Sequence, residues 1–232
     1  MKKLIFALLL CGAVATVSAQ QTRIHADQME RFSRISLSGK LNVEFIPSGK
    51  DSLSITLTDS NVDKFKWNVD KEELSMSLRP SSGGKGSAEI KLYYTQPVGA
   101  IAVSGSDVLI RDALKSSILS LNVGGGGKLT AQLECLDLDL AVSGNSAVSL
   151  TGTAKYLTVR ATESSKVNCR QLASVSVQAD AGSVAEVFVW AAERAVMSAG
   201  YGATIFYRGK PLVVRTSVAK IGLGASITNI GE

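Results

Sequence analysis

Leu119-Ser-Leu-Asn-Val123, Leu138-Asp-Leu-Ala-Val142 and Leu157-Thr-Val-Arg-Ala161 are one pattern repeated at 19-residue intervals. Within each, apolar residues sit two apart, the period of a strand with one face turned inward. Each is followed by a turn: Gly124-Gly125, Ser143-Gly144, Thr162-Glu163. A second short strand then carries Leu129, Val148 and Val167. Strand, turn, strand, turn in about 20 residues is too short for a βαβ unit, which needs about 30 or more. It suits one coil of a β-solenoid, where each coil pairs with the next about 4.8 Å away.

The pattern extends in both directions. One inward column reads Val103, Val123, Val142, Ala161, Ala179, Ala199, Ile221. A second, two residues earlier, reads Ile101, Leu121, Leu140, Val159, Val177, Met197, Ala219; a third contains Leu119, Leu138, Leu157, Val175 and Ala195. Outward columns are mostly polar: Asn122, Arg160, Gln178, Lys220, and beside them Ser120, Asp139, Thr158, Ser176. The second strand's inward column is Leu109, Leu129, Val148, Val167, Ile205 and Ile227. Further turns fall at Ser104-Gly105, Asp180-Ala181, Gly200-Tyr201 and Gly222-Leu223, where glycine permits positive φ or close approach of backbones. The expected fold is all-β: a right-handed parallel β-helix, or β-solenoid, of about seven coils over residues 99–232.

Residues 20–98 form an N-terminal β region with different grammar. Ile35 to Phe45 shows the coil pattern once, as a displaced coil. Leu53 to Leu57, Phe65 to Val69 and Leu74 to Leu78 alternate, and Asp70-Lys-Glu-Glu73 joins the last two as a hairpin. Ser81 to Ser87 reads as a flexible tip before Glu89 to Tyr94. The boundary falls near Gln96-Pro97-Val98-Gly99, with one core expected across it.

Residues 1–19 have the grammar of a secretory signal peptide: Lys2 and Lys3, an apolar run from Leu4 to Leu10, and Val17-Ser18-Ala19 at the cleavage position. Cleavage between Ala19 and Gln20 removes 19 of 232 residues, leaving 213, and lowers the formal charge from +5 to +3. The alternative is a lipid-anchored Cys11, but Leu10 is a poor residue before a lipidated cysteine. No other apolar run reaches the roughly 20 residues that cross a membrane. The remaining charges are scattered, with no basic stripe for nucleic acid.

Chemistry-bearing residues are sparse. The single histidine, His25, leaves no His-based metal site and no Ser-His-Asp arrangement. Cys135 falls in a small-residue corner with Ala154, Ala173 and Ala191; Cys169 falls in an inward column beside Ala131 and Leu150. Two coils apart and in different columns, they are expected to be reduced and structural. Gly124 to Thr130 looks like a phosphate loop, but Asn122 stands where the first glycine belongs and Leu129 follows Lys128. Asp137 and Asp139 share an outward face about 6.8 Å apart. That spacing would suit an inverting glycosidase, yet no third acid and no Lys or Arg converges on them. Trp190, Tyr201, Tyr207, Tyr93 and Tyr94 are the aromatics that could stack on sugar; Tyr207 aligns with an inward column, and Tyr201, at a corner, is the most exposed.

Phe32-Ser-Arg-Ile-Ser-Leu-Ser-Gly39, Leu41-Asn-Val-Glu-Phe45 with Pro47-Ser-Gly49, Leu74-Ser-Met-Ser-Leu78, Val103-Ser-Gly105 and Leu140-Ala-Val-Ser-Gly144 resemble the auto-transporter adhesin head GIN domain family of exported bacterial proteins. The resemblance runs from about Phe32 to Ile227 and implies a β-helix-like fold, a cell-envelope location and an adhesive role. It transfers no catalytic or binding residue. An autotransporter's membrane barrel has no counterpart in the short tail after Ile227, so self-translocation is not expected. The sequence therefore reads as an exported, non-enzymatic envelope protein without catalytic, cofactor or metal residues. Its partner would be a surface glycan or a protein, with Tyr201 the one candidate binding residue. The rivals are a carbohydrate-active β-helix enzyme, lyase or glycosidase, and a purely structural envelope protein.

Overall fold

The structure, a computed structural model, describes residues 21–27, 29–59, 62–79, 86–95, 97–219 and 224–231. The cleavage position at Ala19 and Gln20, most of the 81–87 tip, Lys220 and Ile221 lie outside the described residues.

Parallel stacking dominates. Strand β8 (Ala100–Ser104) opens the repeats. The long strands β9 (Asp107–Gly124), β10 (Lys128–Val142), β11 (Ala147–Ala161), β12 (Lys166–Ala181) and β13 (Glu186–Ala199) follow, and β14 (Thr204–Arg208), β15 (Val213–Val218) and β16 (Ser226–Asn229) end them. Each long strand runs from the second half of one coil into the first half of the next, so neighbours pair twice over. The result is a parallel β-solenoid of about six turns. The inward ladder is continuous: Leu121 pairs with Leu140 and Leu140 with Val159, each at most 1% exposed.

The corners explain the glycines and their replacements. Gly125 and Gly126, Gly144 and Asn145, Glu163 and Ser164, Ser183 and Val184, Tyr201 and Gly202 all have positive φ. Two consecutive left-handed residues form a tight turn, and the corners stack by backbone hydrogen bonds. The N–H of Gly126 donates to the Gly144 carbonyl, Asn145 to Glu163, Ser164 to Ser183 and Val184 to Tyr201, at 2.8 to 3.0 Å. The glycine-rich Gly124 to Gly127 segment is one of these corners.

The register corrects three expectations. Ala161 pairs with Ala181, not Ala179, and Val159 with Ala179, so the turn falls at Gly182 to Ala185 rather than Asp180-Ala181. The outward partners move likewise, Thr158 meeting Gln178 and Arg160 meeting Asp180, and the corner column takes Ser174 in place of Ala173. Because side chains alternate with period two, a two-residue slip leaves the inward set inward; Val177, Ala179 and Ala181 are all buried, while Val175 is only half-buried. In the last coil Val218 and Thr216, not Ile221 and Ala219, continue the columns. Leu109 faces outward, and its neighbour Val108 fills the ladder against Leu129. The Gly105-Ser106 corner is one residue shorter than the others, and a one-residue difference exchanges faces.

The N-terminal region adds coils out of chain order. Strands β2 (Arg34–Ser38) and β3 (Leu41–Pro47) stack in parallel on β8 and β9. Beyond them, β6 (Glu73–Leu78) and β7 (Ser87–Tyr94) stack in parallel on β2 and β3. Antiparallel strands then close this end: β5 (Phe65–Asp70) on β6, and β4 (Ser52–Thr58) on β7 with β1 (Gln21–Asp27) outside it. Among the described residues only β5–β6 is a hairpin; the expected hairpin grammar missed that β6 and β7 are also coil strands. One buried cluster runs through both regions, joining Leu57 and Leu92 to Leu140 and Ile205.

Candidate binding face

The second-strand sheet presents its outward side as rows of residues, one per strand. In one row Lys91 faces Glu44, Glu44 faces Leu109 and Leu109 faces Thr130. In the neighbouring row Asn42 faces Asp107 and Asp107 faces Lys128. A groove of about 760 Å³ lies over these rows between the N-terminal strands and the first coils. Two ion pairs lie within it: Arg111 Nε is 3.0 Å from Glu44, and Lys128 Nζ is 3.6 Å from Asp107; Arg23, Lys91 and Glu89 line it as well.

Lys128 and Thr130 also border a second groove of about 340 Å³ that continues over β11 and β12 to Phe188. There the rows change character. Phe188 and Phe206, directly opposite on β13 and β14, stack with ring centroids 4.7 Å apart and planes 11° from parallel. The Arg170 guanidinium lies 3.5 Å from the Phe188 centroid, and that of Arg208 lies 4.3 Å from the centroid of Trp190. Such pairs gain from the ring quadrupole and hold a long cationic side chain in one place. The Arg208 Nε–H is buried without a hydrogen-bond partner. Parity could have found this cluster, since Phe188 and Trp190 alternate with buried Val187 and Val189. Of its aromatics, only Trp190 stood out in the sequence.

The other candidates lie elsewhere. Asp137 sits between Ile118 and Tyr156, and Asp139 between Ser120 and Thr158. The expectation that no Lys or Arg converges there is overturned: Arg160 donates to both oxygens of Asp139, at 2.6 and 2.7 Å. Both oxygens of Asp139 are thus occupied by Arg160, so the pair does not present two free carboxylates to a water. Tyr201 is 71% exposed at its corner with φ 48°, and it lines neither groove. Tyr207 pairs with buried Val189 and packs half-buried against the core, as expected of an inward column. Both cysteines are free thiols. Burial pushes the Cys169 thiol up to about 12; burial and then the Asp137 charge raise Cys135 to about 11. Neither has the depressed pKa of a reactive thiol. Among the described residues no helix is long and apolar enough to cross a membrane.

Solved structures share this architecture. A "putative adhesin" from Bacteroides fragilis is 24% identical, with a TM-score of 0.80 over 92% of this chain and 98% of that one. A "putative adhesin" from Parabacteroides distasonis is 15% identical, with a TM-score of 0.67 over 91% and 98%. A "Putative lipid binding protein" from the same species is 16% identical, with a TM-score of 0.63 over 90% and 96%. At such identities the likeness is one of fold. No curated protein sequence matches the chain. A family model does match, across residues 31–211, and on that match the chain belongs to the family described as "Putative auto-transporter adhesin, head GIN domain".

Proposed function

We propose that this chain is an exported, non-catalytic protein of the bacterial envelope that makes adhesin-like contact with a surface partner, through the outward face of its second-strand sheet. The carrying observation is the pair of adjoining grooves, about 760 and 340 Å³, on one rigid face and ending in the arginine–aromatic cluster. A solenoid offers such an extended surface because its rows repeat with every coil. Family membership supports the adhesin-like class. The engagement of Asp139 by Arg160 speaks against the glycosidase alternative. The signal-peptide grammar of residues 1–19 supports export.

The test is an array of glycans and envelope proteins probed with the purified mature chain. Saturable binding that is lost when Thr130 and Ser149 on this face are replaced by Glu is expected. Binding untouched by those changes, or release of reducing sugar from a polysaccharide, would count against the reading.

A further inference from the structure

We propose that the β12–β14 end of this face is a binding site for an acidic polysaccharide, with Arg170 and Arg208 receiving its carboxylate or sulfate groups. The inference rests on the surface-contact reading above and names the ligand class.

Charge separates the two ends of the face. Over the larger groove two of the four lining cations are paired, Arg111 with Glu44 and Lys128 with Asp107, and Glu89 lines it beside the other two, Arg23 and Lys91. Over β12 to β14 no cation of the outward second-strand rows is paired with an acid among the described residues. Lys166, Arg170 and Arg208 take part in no ion pair among the described residues. Glu186 is the one carboxylate on the outward rows of the second-strand segments 166–170, 186–190 and 204–208; Asp180 and Glu193 belong to the following first-strand segments. An anionic partner is the complement of that surplus.

The aromatic rings make the surplus directional. A guanidinium lying on a ring keeps its N–H edge free in the plane of the fork, the geometry that matches a carboxylate or sulfate. Arg170 rests on Phe188, which is backed by Phe206; Arg208 rests on Trp190. Both side chains are therefore ordered before a ligand arrives, which lowers the entropic cost of binding. The two arginines lie on strands that flank β13, so the ligand must carry more than one anion.

The surrounding surface selects a sugar chain. Thr130, Ser149 and Asn168 stand in one row beside the cluster and offer hydroxyl and amide groups to sugar hydroxyls. The row repeats about every 4.8 Å along the coil axis, a linear lattice for a linear polymer. A protein partner would want a dry apolar centre, but the exposed large hydrophobics, Leu212 and Ile118 among them, lie on other parts of the molecule. A nucleic acid would want a longer series of cations for its phosphates.

The experiment uses the purified mature chain and immobilised polygalacturonate, with dextran, poly-glutamate and single-stranded DNA as comparators. Binding to polygalacturonate above the other three, weakening as salt rises, is expected. The double variant Arg170→Gln, Arg208→Gln should lower affinity by about tenfold or more. Lys115→Gln, remote on the Glu134 pair, should leave it unchanged. Circular dichroism and thermal midpoint verify that each variant is folded; should the double variant unfold, Arg170→Gln alone is read, since that side chain is exposed. Equal binding of poly-glutamate or DNA would overturn the polysaccharide assignment, as would a folded arginine variant that binds like the parent. If polygalacturonate fails while the array still returns a ligand on this face, this inference falls and the broader reading stands. If the array also returns nothing, both fall.

Discussion

Val184 holds a β-branched side chain at φ 65°, 57% exposed at a corner position where the other coils place Gly126, Asn145, Ser164 and Gly202. The left-handed region costs a residue with a Cβ roughly 1–2 kcal/mol. Here the position is dictated by the stacked turn, whose Val184 N–H must meet the Tyr201 carbonyl at 3.0 Å. Val184→Gly keeps that bond and relieves the strain, less the extra freedom glycine gains when unfolded. Denaturant midpoints should shift upward by the equivalent of about 0.5–1 kcal/mol at unchanged slope; a lower midpoint would mean that the side chain contributes contacts outweighing the strain. Gly152 is the opposite case: at φ 106° its added Cβ would collide with the Leu133 carbonyl oxygen, so Gly152→Ala should destabilise strongly. Cys169 adds a pH signature. Its thiol, fully buried, is raised from 9.0 to about 12, so the folded state keeps the proton that the unfolded chain releases first. The associated stability is complete below pH 9 and lost as pH climbs towards 12, with a slope of about 1.4 kcal/mol per pH unit for one proton. The stability difference between the parent and Cys169→Ala, followed by urea titration from pH 8 to 11, should therefore narrow as pH rises. A constant difference would mean that the thiol does not stay protonated in the fold.

Within a strand, adjacent residues should behave oppositely. Leu140 is fully buried between Leu121 and Val159, and Leu140→Asp would put a charge into a dry ladder at a cost of several kcal/mol. Asp139, half-exposed and held by Arg160, should lose less than about 1 kcal/mol on Asp139→Ser. Thermal unfolding of the pair decides the orientation of β10, and tolerance of the Leu140 change would refute it. That alternation was legible in the sequence because strand parity survives slips of two, as at Ala179 and Ala181. Leu109 was misread because corner length is set by backbone geometry, and Gly105-Ser106 turns the chain with one residue fewer. The N-terminal stacking of β6 on β2 was hidden for another reason: alternation tells a strand which face is inward but not which neighbour it will find. The arginine–aromatic cluster was legible in parity and illegible in contact. Arg170 and Phe188 are 18 residues apart and meet only because β12 and β13 stack side by side.

The two ends of the solenoid are unlike, and this sets the order in which the whole molecule opens. At the N-terminal end β4 brings Leu53, Ile55 and Leu57, each at most 1% exposed, over the core, with β1 outside as a further layer. At the other end β15 pairs, among the described residues, only with β13, and all six of its residues are exposed. Val214 and Val218 stand in inward columns, opposite Ala195 and Ala199, yet remain 43% and 41% exposed because no coil among the described residues lies beyond them. In a stack stabilised between nearest neighbours, a terminal coil has one interface where an internal coil has two. Local opening should therefore begin at β15 and β16 and be hardest around β10 to β12. Native-state hydrogen exchange read by mass spectrometry should give the fastest exchange in peptides spanning 213–218 and 226–229. Peptides from β4 should stay protected although that strand also lies near an end. Equal protection of β15 and β11 in dilute solution would contradict this order. Protection that appears only at high protein concentration would place a second molecule over the open end, because Val214 and Val218 would then regain the covered side that every internal coil already has.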